Sequence, residues 1–238
     1  MPETTALDYK FGTKLRDDKK VKLNVYELGG GRVLSNLLQT VFVGNSIEHA
    51  MIVLVIDLAK PGNSVDNLIY WLDVIRKSTQ TALKELSQTN PAAFDLIQQR
   101  ARAKWESHED ASKIKPQLIP VMVVGTKYDT FANTYESKVK RVLCDALRYI
   151  AHTNGCDLIF SSVREQQPAR VYMNMIGNHV FDGSTSTSSA DTNANSCLNI
   201  PSSTDKVSKI NEPDGAGYSR ASLEELYQQA VENNFTKE

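Results

Sequence analysis

The sequence has 238 residues and an ordinary globular composition, with 41% hydrophobic and 23% charged residues. A formal net charge of -1 and a pI near 6.4 exclude a protein drawn as a whole to nucleic acid or to anionic membrane. Residues 1–20 lack a signal-peptide core, and no apolar run approaches the roughly 20 residues that a membrane-spanning helix needs. We therefore expect a soluble intracellular protein with no nucleic-acid partner and no membrane insertion.

Strand patterns alternate with helical patterns through most of the chain. Residues 21–28 have the period of two of a strand, and residues 6–15 could be an additional edge strand. Three short apolar runs are typical of strands buried on both faces of a parallel sheet: residues 51–58, 118–125 and 158–161. Apolar residues at helical spacing predict one long helix over 65–86 and another over 135–150, which Gly155 ends. This alternation predicts an α/β fold with a doubly wound, mostly parallel sheet.

Two segments depart from this alternation. Residues 87–117 form a polar helical insertion that contains Trp105, and it is either a solvated excursion or a docking surface. From Gly183 the chain turns to Ser, Thr, Asn and Asp, which cannot bury enough surface to offset the chain entropy of folding. We therefore predict a folded domain over residues 1–183, a disordered linker over 184–211 and a C-terminal partner-binding helix over 212–238.

The C-terminal helix is predicted from a capping box and an apolar stripe. Ser222 and Glu225 have the spacing of the box. The residues that share the apolar face, and that we take as partner-binding, are Leu223, Leu226, Tyr227, Ala230 and Val231. Such a helix either folds back on its own domain or docks on a partner.

A guanine-reading motif follows the third predicted strand. Thr126, Lys127 and Asp129 have the (N/T)-K-x-D form, in which the carboxylate accepts from guanine donors and the lysine stem lies along the base. Ser161 and Ser162 end the next strand, where Ras-like GTPases carry a short turn that touches the base. The alternative is that Asp129 only caps a helix that begins at Thr130.

The end of the first patterned strand supplies two further candidates. In a GTPase a D-x-x-G segment stands here, binds Mg²⁺ through water and senses the γ-phosphate. This sequence has Glu27 as the acid, followed by Gly29, Gly30 and Gly31, and the longer glutamate would disturb the metal geometry. We assign Glu27 and Gly30 to the vestigial nucleotide-binding set; alternatively, the glycines only make a tight turn.

The phosphate-binding loop itself is missing from the sequence. No G-x-x-x-x-G-K-[ST] motif occurs, and the strand that precedes such a loop lies in the middle of the sheet. Losing that strand would leave unpaired backbone groups at a buried position. We expect either an N-terminally incomplete sequence or a gap that a partner or another segment fills.

Other catalytic chemistry finds no support in the sequence. The three cysteines have no metal-ligand spacing, and the four histidines do not converge with cysteine or carboxylate at a recognisable spacing. His152, near the end of the second predicted helix, receives a structural role in which a positive imidazole complements the helix dipole. We predict no catalytic residue, no metal and no cofactor.

Several blocks together resemble the dynein light intermediate chain family, in its dynein-2 branch. They are residues 6–9 (ALDY), 27–31 (ELGGG), 52–61 (IVLVIDLAKP), 125–131 (GTKYDTF), 140–152 (KRVLCDALRYIAH) and 158–162 (LIFSS). The resemblance implies a non-catalytic, Ras-like platform on the dynein-2 heavy chain that stabilises the motor for retrograde intraflagellar transport. It implies as partners the heavy chain, other dynein-2 subunits and the intraflagellar transport machinery. It places the protein in the cytoplasm and cytoskeleton, at the cilium or flagellum and its basal body.

The sequence leaves two other functions open. The first is a GTP-binding switch or slow GTPase whose P-loop lies in a missing N-terminal segment. The second is an unrelated interaction module that has kept only the GTPase shell.

Overall fold

The computed structural model describes residues 4–16, 19–42, 44–162, 166–180 and 190–210. The chain divides into two compact units. The first unit comprises Met1–His49 and Val74–Asp95, and the second comprises Ala50–Asp73 and Leu96–Glu238.

A two-stranded antiparallel hairpin dominates the beginning of the first unit. Strand β1 (Leu7–Arg16) pairs with β2 (Lys19–Leu28), so both strands predicted in this region are confirmed. After β2 the chain turns sharply, because Gly30 and Gly31 have φ values of 74° and 60°, which favour glycine. A 3-10 turn, a short helix α1 and a second 3-10 turn follow, over Gly31–Leu37, Leu38–Val41 and Gly44–His49.

A mixed four-stranded sheet forms the core of the second unit, with the order β3-β4-β5-β6. The strands are β3 (Ile52–Asp57), β4 (Val121–Thr126), β5 (Asp157–Phe160) and β6 (Asn199–Ile200). The first three are parallel, as predicted, and β6 runs antiparallel to β5. The residues of β4 from Val121 to Gly125 are all buried, which is why this strand reads as an unbroken apolar run.

The two predicted helices are present with shifted ends. The longer helices are α2 (Ser64–Thr89), α3 (Pro91–Ala103), α5 (Ser137–Thr153) and α6 (Gln166–Val180), and the shorter ones are α4 (Tyr128–Thr134) and α7 (Val207–Ile210). The predicted helix over 135–150 begins two residues later, because Tyr135 is extended and separates it from α4. Gly155 follows α5 with a φ of 70°. Helix α6 was not predicted.

Helix α6 covers only part of one face of the sheet. Val171, Tyr172, Met175 and Ile176 of α6 pack against a buried cluster made of Met122, Val124 and Ile159. On β3, which is an edge strand among the described residues, Val53 and Val55 stay 41% and 63% exposed. A parallel strand is normally buried on both faces, so β3 is unusually open.

Residues 190–210 correct the predicted linker. Leu198, Ile200, Val207 and Ile210 in this segment are all buried, so the prediction of a disordered linker over 184–211 is wrong here. The segment is poor in apolar residues, but these four lie in the core, and Ser202 and Asp205 bond to Asp157 and Arg148 of the domain. The predicted C-terminal helix over 212–238 lies outside the described residues.

Candidate functional site

The end of β4 brings the predicted guanine-reading residues together with the end of β5. Strand β4 ends at Thr126, and Lys127 takes a left-handed conformation with a φ of 59° before α4 begins at Tyr128. The backbone amide of Tyr128 donates to the carbonyl of Ser161 at 3.2 Å, and the amide of Ser161 donates to the carbonyl of Gly125 at 2.7 Å. The two loops are therefore held edge to edge by backbone hydrogen bonds.

Asp129 lies in the first turn of α4 and is partly buried. The alternative that it caps a helix starting at Thr130 is wrong, since α4 begins at Tyr128 and its N-cap residue is Lys127. Ser161 and Ser162 are both buried. The hydroxyl of Thr126 donates to the carbonyl of Ile56 at 3.1 Å, so it fastens the strand end to β3.

An ion pair that the sequence did not reveal joins this motif to β3. The Lys127 ammonium donates to Asp57 Oδ2 at 2.6 Å, and Asp57 Oδ1 accepts from the Ala59 amide at 3.0 Å. Burial alone would raise the pKa of Asp57, but Lys127 and the Ala59 amide together lower it below its ordinary value. The parallel register places Asp57 beside Thr126, and this pairing is the one feature that could have identified Asp57.

Glu27 and Gly30 belong to the first unit. Glu27 Oε1 accepts from the Thr4 hydroxyl at 2.9 Å, and Glu27 Oε2 lies 3.9 Å from the ammonium of Lys10. The Glu27 side chain is 59% exposed. The positive φ of Gly30 shows that the glycines make a tight turn, which is the structural alternative set against a metal-binding role.

A second polar cluster, in the second unit, holds the segment predicted to be disordered. We call residues 199–210 the strap. Arg148 on α5 makes a two-pronged contact with Asp205, through Nε to Oδ2 and Nη2 to Oδ1, each at 2.9 Å. The two side chains are only 8% and 2% exposed. Such a planar, charge-assisted pair combines strength with a fixed geometry.

The polar insertion, residues 87–117, also contacts the strap. His108 Nε2 lies 3.0 Å from the carbonyl of Asp205, and Asp110 Oδ2 accepts from the Val207 amide at 2.8 Å. At the surface Glu109 accepts from the Lys206 ammonium and the Ser208 hydroxyl. The insertion therefore binds part of its own chain, and its buried residues are not a solvated excursion.

Histidine and carboxylate converge here, although their spacing in the sequence does not show it. His152 Nε2 lies 3.1 Å from Asp110 Oδ2, and Trp105 packs edge-on against the rings of His108 and His152. Burial lowers the pKa of His152, and this outweighs the opposing effect of Asp110. The imidazole is therefore neutral near pH 7, so the predicted positive histidine at the helix end is wrong in charge although it is structural in role.

This cluster has the spacing of a metal site but not its hydrogen bonding. One ligand atom each of His108, Asp110 and His152 lies within 4.8 Å of the others. His108 Nδ1 accepts from the Asp110 amide at 3.1 Å, so Nε2 carries the proton and donates to the Asp205 carbonyl. A metal-bound histidine donates through its second nitrogen, and here that nitrogen accepts. The cluster is a structural network that fixes the strap.

None of the described helices is both long enough and apolar enough to cross a membrane. The predicted partner-binding residues of the C-terminal helix, residues 223–231, lie outside the described part of the chain.

Comparison with known proteins agrees with this architecture. The crystal structure titled "Crystal Structure of the Dynein Light Intermediate Chain's Conserved Domain" superposes with a TM-score of 0.62 at 18% identity. The match covers 96% of this chain and 89% of that one. The likeness shows the class of protein: an α/β domain with the fold of that conserved domain.

Sequence comparison finds similarity to the same family. Residues 6–118 match the model of the dynein light intermediate chain family. Cytoplasmic dynein 2 light intermediate chain 1 of Danio rerio is 30% identical over 212 residues, which are 88% of this chain and 58% of that protein. The Homo sapiens protein of the same name is 30% identical over 68% of this chain and 47% of its own length. Cytoplasmic dynein 1 light intermediate chain 1 of Gallus gallus is 27% identical over 64% of this chain and 35% of that protein.

The chain is similar to proteins of the dynein light intermediate chain family along most of its length. It spans about half the length of the dynein 2 relatives named above, 58% of the first and 47% of the second.

Proposed function

We propose that this chain is a non-catalytic subunit of a dynein-2 motor, which binds the heavy chain and stabilises it for retrograde intraflagellar transport. The observation that carries the proposal is the 30% identity to a dynein 2 light intermediate chain along 88% of this chain. Its partners are then the heavy chain, other dynein-2 subunits and the intraflagellar transport machinery. It acts in the cytoplasm and cytoskeleton, at the cilium or flagellum and its basal body.

The polar groups at the candidate nucleotide residues support a platform rather than a catalyst. Lys127 is paired with Asp57, and the hydroxyl of Thr126 is bonded to β3. In the first unit, Glu27 is engaged by Thr4 and lies near Lys10. Each of these side chains contacts another residue of this chain, which is what we expect if the motif has a structural role.

Co-expression with the heavy chain tests the proposed function directly. The tagged chain is expressed with the dynein-2 heavy chain and, as a matched comparison, with the dynein-1 heavy chain. We expect stable recovery of the dynein-2 heavy chain and higher heavy-chain yield than without the subunit. Failure to recover it under conditions in which a known dynein-2 subunit does so would refute the proposal.

In ciliated or flagellated cells, depletion of the chain should make transport particles accumulate at the ciliary tip, because retrograde transport returns them to the base. Tip accumulation measured by fluorescence imaging, and its reversal by the tagged chain, would support the ciliary role. Unchanged cilia with normal particle return would contradict it.

A GTP-binding switch is the second candidate, and one observation favours it. The T-K-x-D segment stands at the end of a buried parallel strand, next to Ser161, which is where a guanine base would be read. Titration with labelled GTP and GDP tests this function. Micromolar binding that Asp129→Ala abolishes would establish the switch, whereas we expect no binding by this chain.

The predicted C-terminal helix is proposed as a partner-binding element. Leu226→Glu would put a charge on its apolar face and should weaken partner association without changing the thermal stability of the domain. A melting temperature lower by several degrees would show instead that the helix packs on its own domain.

A further inference from the structure

One face of the β1–β2 hairpin carries a group of exposed apolar side chains. Side chains alternate between the faces of a strand, and directly opposite residues share a face. The antiparallel register therefore places Leu7, Tyr9 and Phe11 on one face with Leu28, Tyr26 and Asn24 opposite them. Leu7, Tyr9, Phe11 and Tyr26 are 37%, 44%, 65% and 46% exposed. We call this the aromatic face.

The rings of the aromatic face are ordered by contacts within the hairpin. The Tyr9 ring lies 6.3 Å from that of Phe11 in a stacked arrangement, and 5.0 Å from that of Tyr26. The Tyr9 hydroxyl donates to Asn24 Oδ1 at 2.8 Å. Rings that are already positioned lose little freedom when a partner covers them, which is why aromatic residues act as anchors at interfaces.

The described acids of the hairpin lie on one face only, whereas lysines occur on both faces. Lys20 and Lys22 lie opposite Leu15 and Thr13, and so belong to the aromatic face. The Lys22 ammonium stands 5.0 Å from the centre of the Phe11 ring. The described acids of the strands, Asp8 and Glu27, lie opposite each other on the other face, where Lys10 stands 2.9 Å and 3.9 Å from their carboxylates. Among the described residues of the two strands, the aromatic face is therefore apolar at its base and carries only cations as its charged groups toward the hairpin tip.

The dimensions of the aromatic face match one helix. Two strands about 4.8 Å apart present a surface close to the roughly 10 Å diameter of an α-helix. The distance from Leu7 to Phe11 along the strand is about 14 Å, the length of roughly nine helical residues.

We propose that the aromatic face docks an amphipathic α-helix of the dynein heavy chain, whose apolar stripe covers Tyr9, Phe11 and Tyr26 and whose acidic residues meet Lys20 and Lys22. This inference rests on the proposed function, because it names the surface through which the heavy chain is held. The charge pattern sets the direction of the helix, with its acidic end toward the hairpin tip. Opposite charges across an interface fix the register and speed the encounter.

Variants of the full chain, co-expressed with the dynein-2 heavy chain, test the docking surface. Phe11→Glu should lower heavy-chain recovery by roughly tenfold or more, as loss of a central aromatic anchor does. Lys22→Glu should lower it by a smaller factor that shrinks as salt is added. The matched control is Val33→Glu, since Val33 is 88% exposed in the 3-10 turn of the same unit and lies off the aromatic face. All three proteins should keep the wild-type melting temperature, because each replaced side chain is exposed.

A photo-crosslinker in place of Phe11 locates the occupant. Crosslinks to a heavy-chain helix that carries Asp or Glu beside its apolar stripe would support the proposal, provided that a crosslinker in place of Val33 gives none there. Crosslinks to a second copy of this chain, or binding to anionic phosphatidylserine vesicles that Phe11→Glu abolishes, would overturn it.

The failures of the two proposals are distinguishable. Equal recovery of the heavy chain by the wild type and by Phe11→Glu would overturn the docking surface and leave the proposed function intact. No recovery by the wild type itself would remove the proposed function, and the docking surface with it.

Discussion

Two ion pairs of the second unit each join a basic side chain to an aspartate, but they differ in contact geometry and in exposure to water. Lys127 and Asp57 meet at 2.6 Å with side chains that are 56% and 36% exposed. Arg148 and Asp205 meet through two 2.9 Å contacts with side chains that are 8% and 2% exposed. The first pair joins two strand ends at the candidate guanine site, and the second joins a helix to the strap.

The difference shows which of these polar contacts the stability of the domain depends on. Water screens the exposed pair, so either partner can be lost at little cost. The buried pair is different, because removing one partner leaves the other charged and desolvated. The ion pair of the motif that stood out in the sequence is thus exposed and weak, whereas the ion pair of the segment that was predicted to be disordered is buried and strong.

The largest effect is expected from Asp205→Ala. It should lower the free energy of unfolding by about 3–5 kcal/mol, because Arg148 would remain buried with no carboxylate closer than that of Asp145, which lies 3.4 Å from its Nη1. Urea denaturation measures this change. The matched control is Glu109→Ala, which removes an exposed contact to the neighbouring Lys206 of the same strap and should change stability little. Similar losses in both variants would show that burial does not separate the two kinds of contact.

A second expected effect concerns Gly125, near the end of β4. A Cβ added at Gly125 would lie 2.7 Å from Phe160 Cδ1 and 2.9 Å from Leu58 Cδ1, in a fully buried layer. Gly125→Ala should therefore cost about 1–3 kcal/mol by overpacking. Gly62→Ala is the control, since a Cβ there meets nothing within 4 Å. An unchanged melting temperature for Gly125→Ala would contradict the tight packing.

The pH dependence of stability distinguishes the buried network from the exposed pair. His152 has a lowered pKa, so below its ordinary value of about 6.5 the unfolded chain takes up a proton that the folded chain refuses. Stability is therefore lost as the pH falls. The lowered pKa of Asp110 adds a loss in the same direction at lower pH.

The pKa of Asp145, raised by burial to about 6, acts in the opposite direction and makes a comparison with a variant necessary. His152→Gln keeps a donor to Asp110 and does not titrate. The stability advantage of the wild type over this variant should shrink from about pH 7.5 to about pH 5.5. A constant difference across this range, measured by urea denaturation, would show that folding does not lower the pKa of His152.

The smallest effect is expected at the exposed pair. A double-mutant cycle of Lys127→Ala and Asp57→Asn should give a coupling energy below about 1 kcal/mol that falls further with added salt. A coupling as large as that of Arg148 with Asp205 would abolish the contrast between the two pairs.

The strands were predictable from the sequence because each carries its pattern locally. The β-branched run ending at Asp57 and the apolar run ending at Thr126 each fill a strand, although only the second of these strands is buried along most of its length. The candidate site was predictable only in part, because Lys127 and Asp129 share one motif, while Asp57 joins them through strand register from 70 residues away. The strap was not predictable, because its buried residues are sparse and their partners are distant in sequence.

By itself the sequence determined the α/β class, the parallel strands, the two N-terminal strands and the family resemblance, since all of these rest on patterns within a few consecutive residues. Tertiary structure alone decided that Arg148 and Asp205, 57 residues apart, form a buried pair. It also decided that His108 and Asp110 contact Asp205 and Val207 of the strap, each 97 residues further along the chain. The composition of a segment describes only its own residues. Whether the segment folds also depends on the contacts that it makes with the rest of the chain.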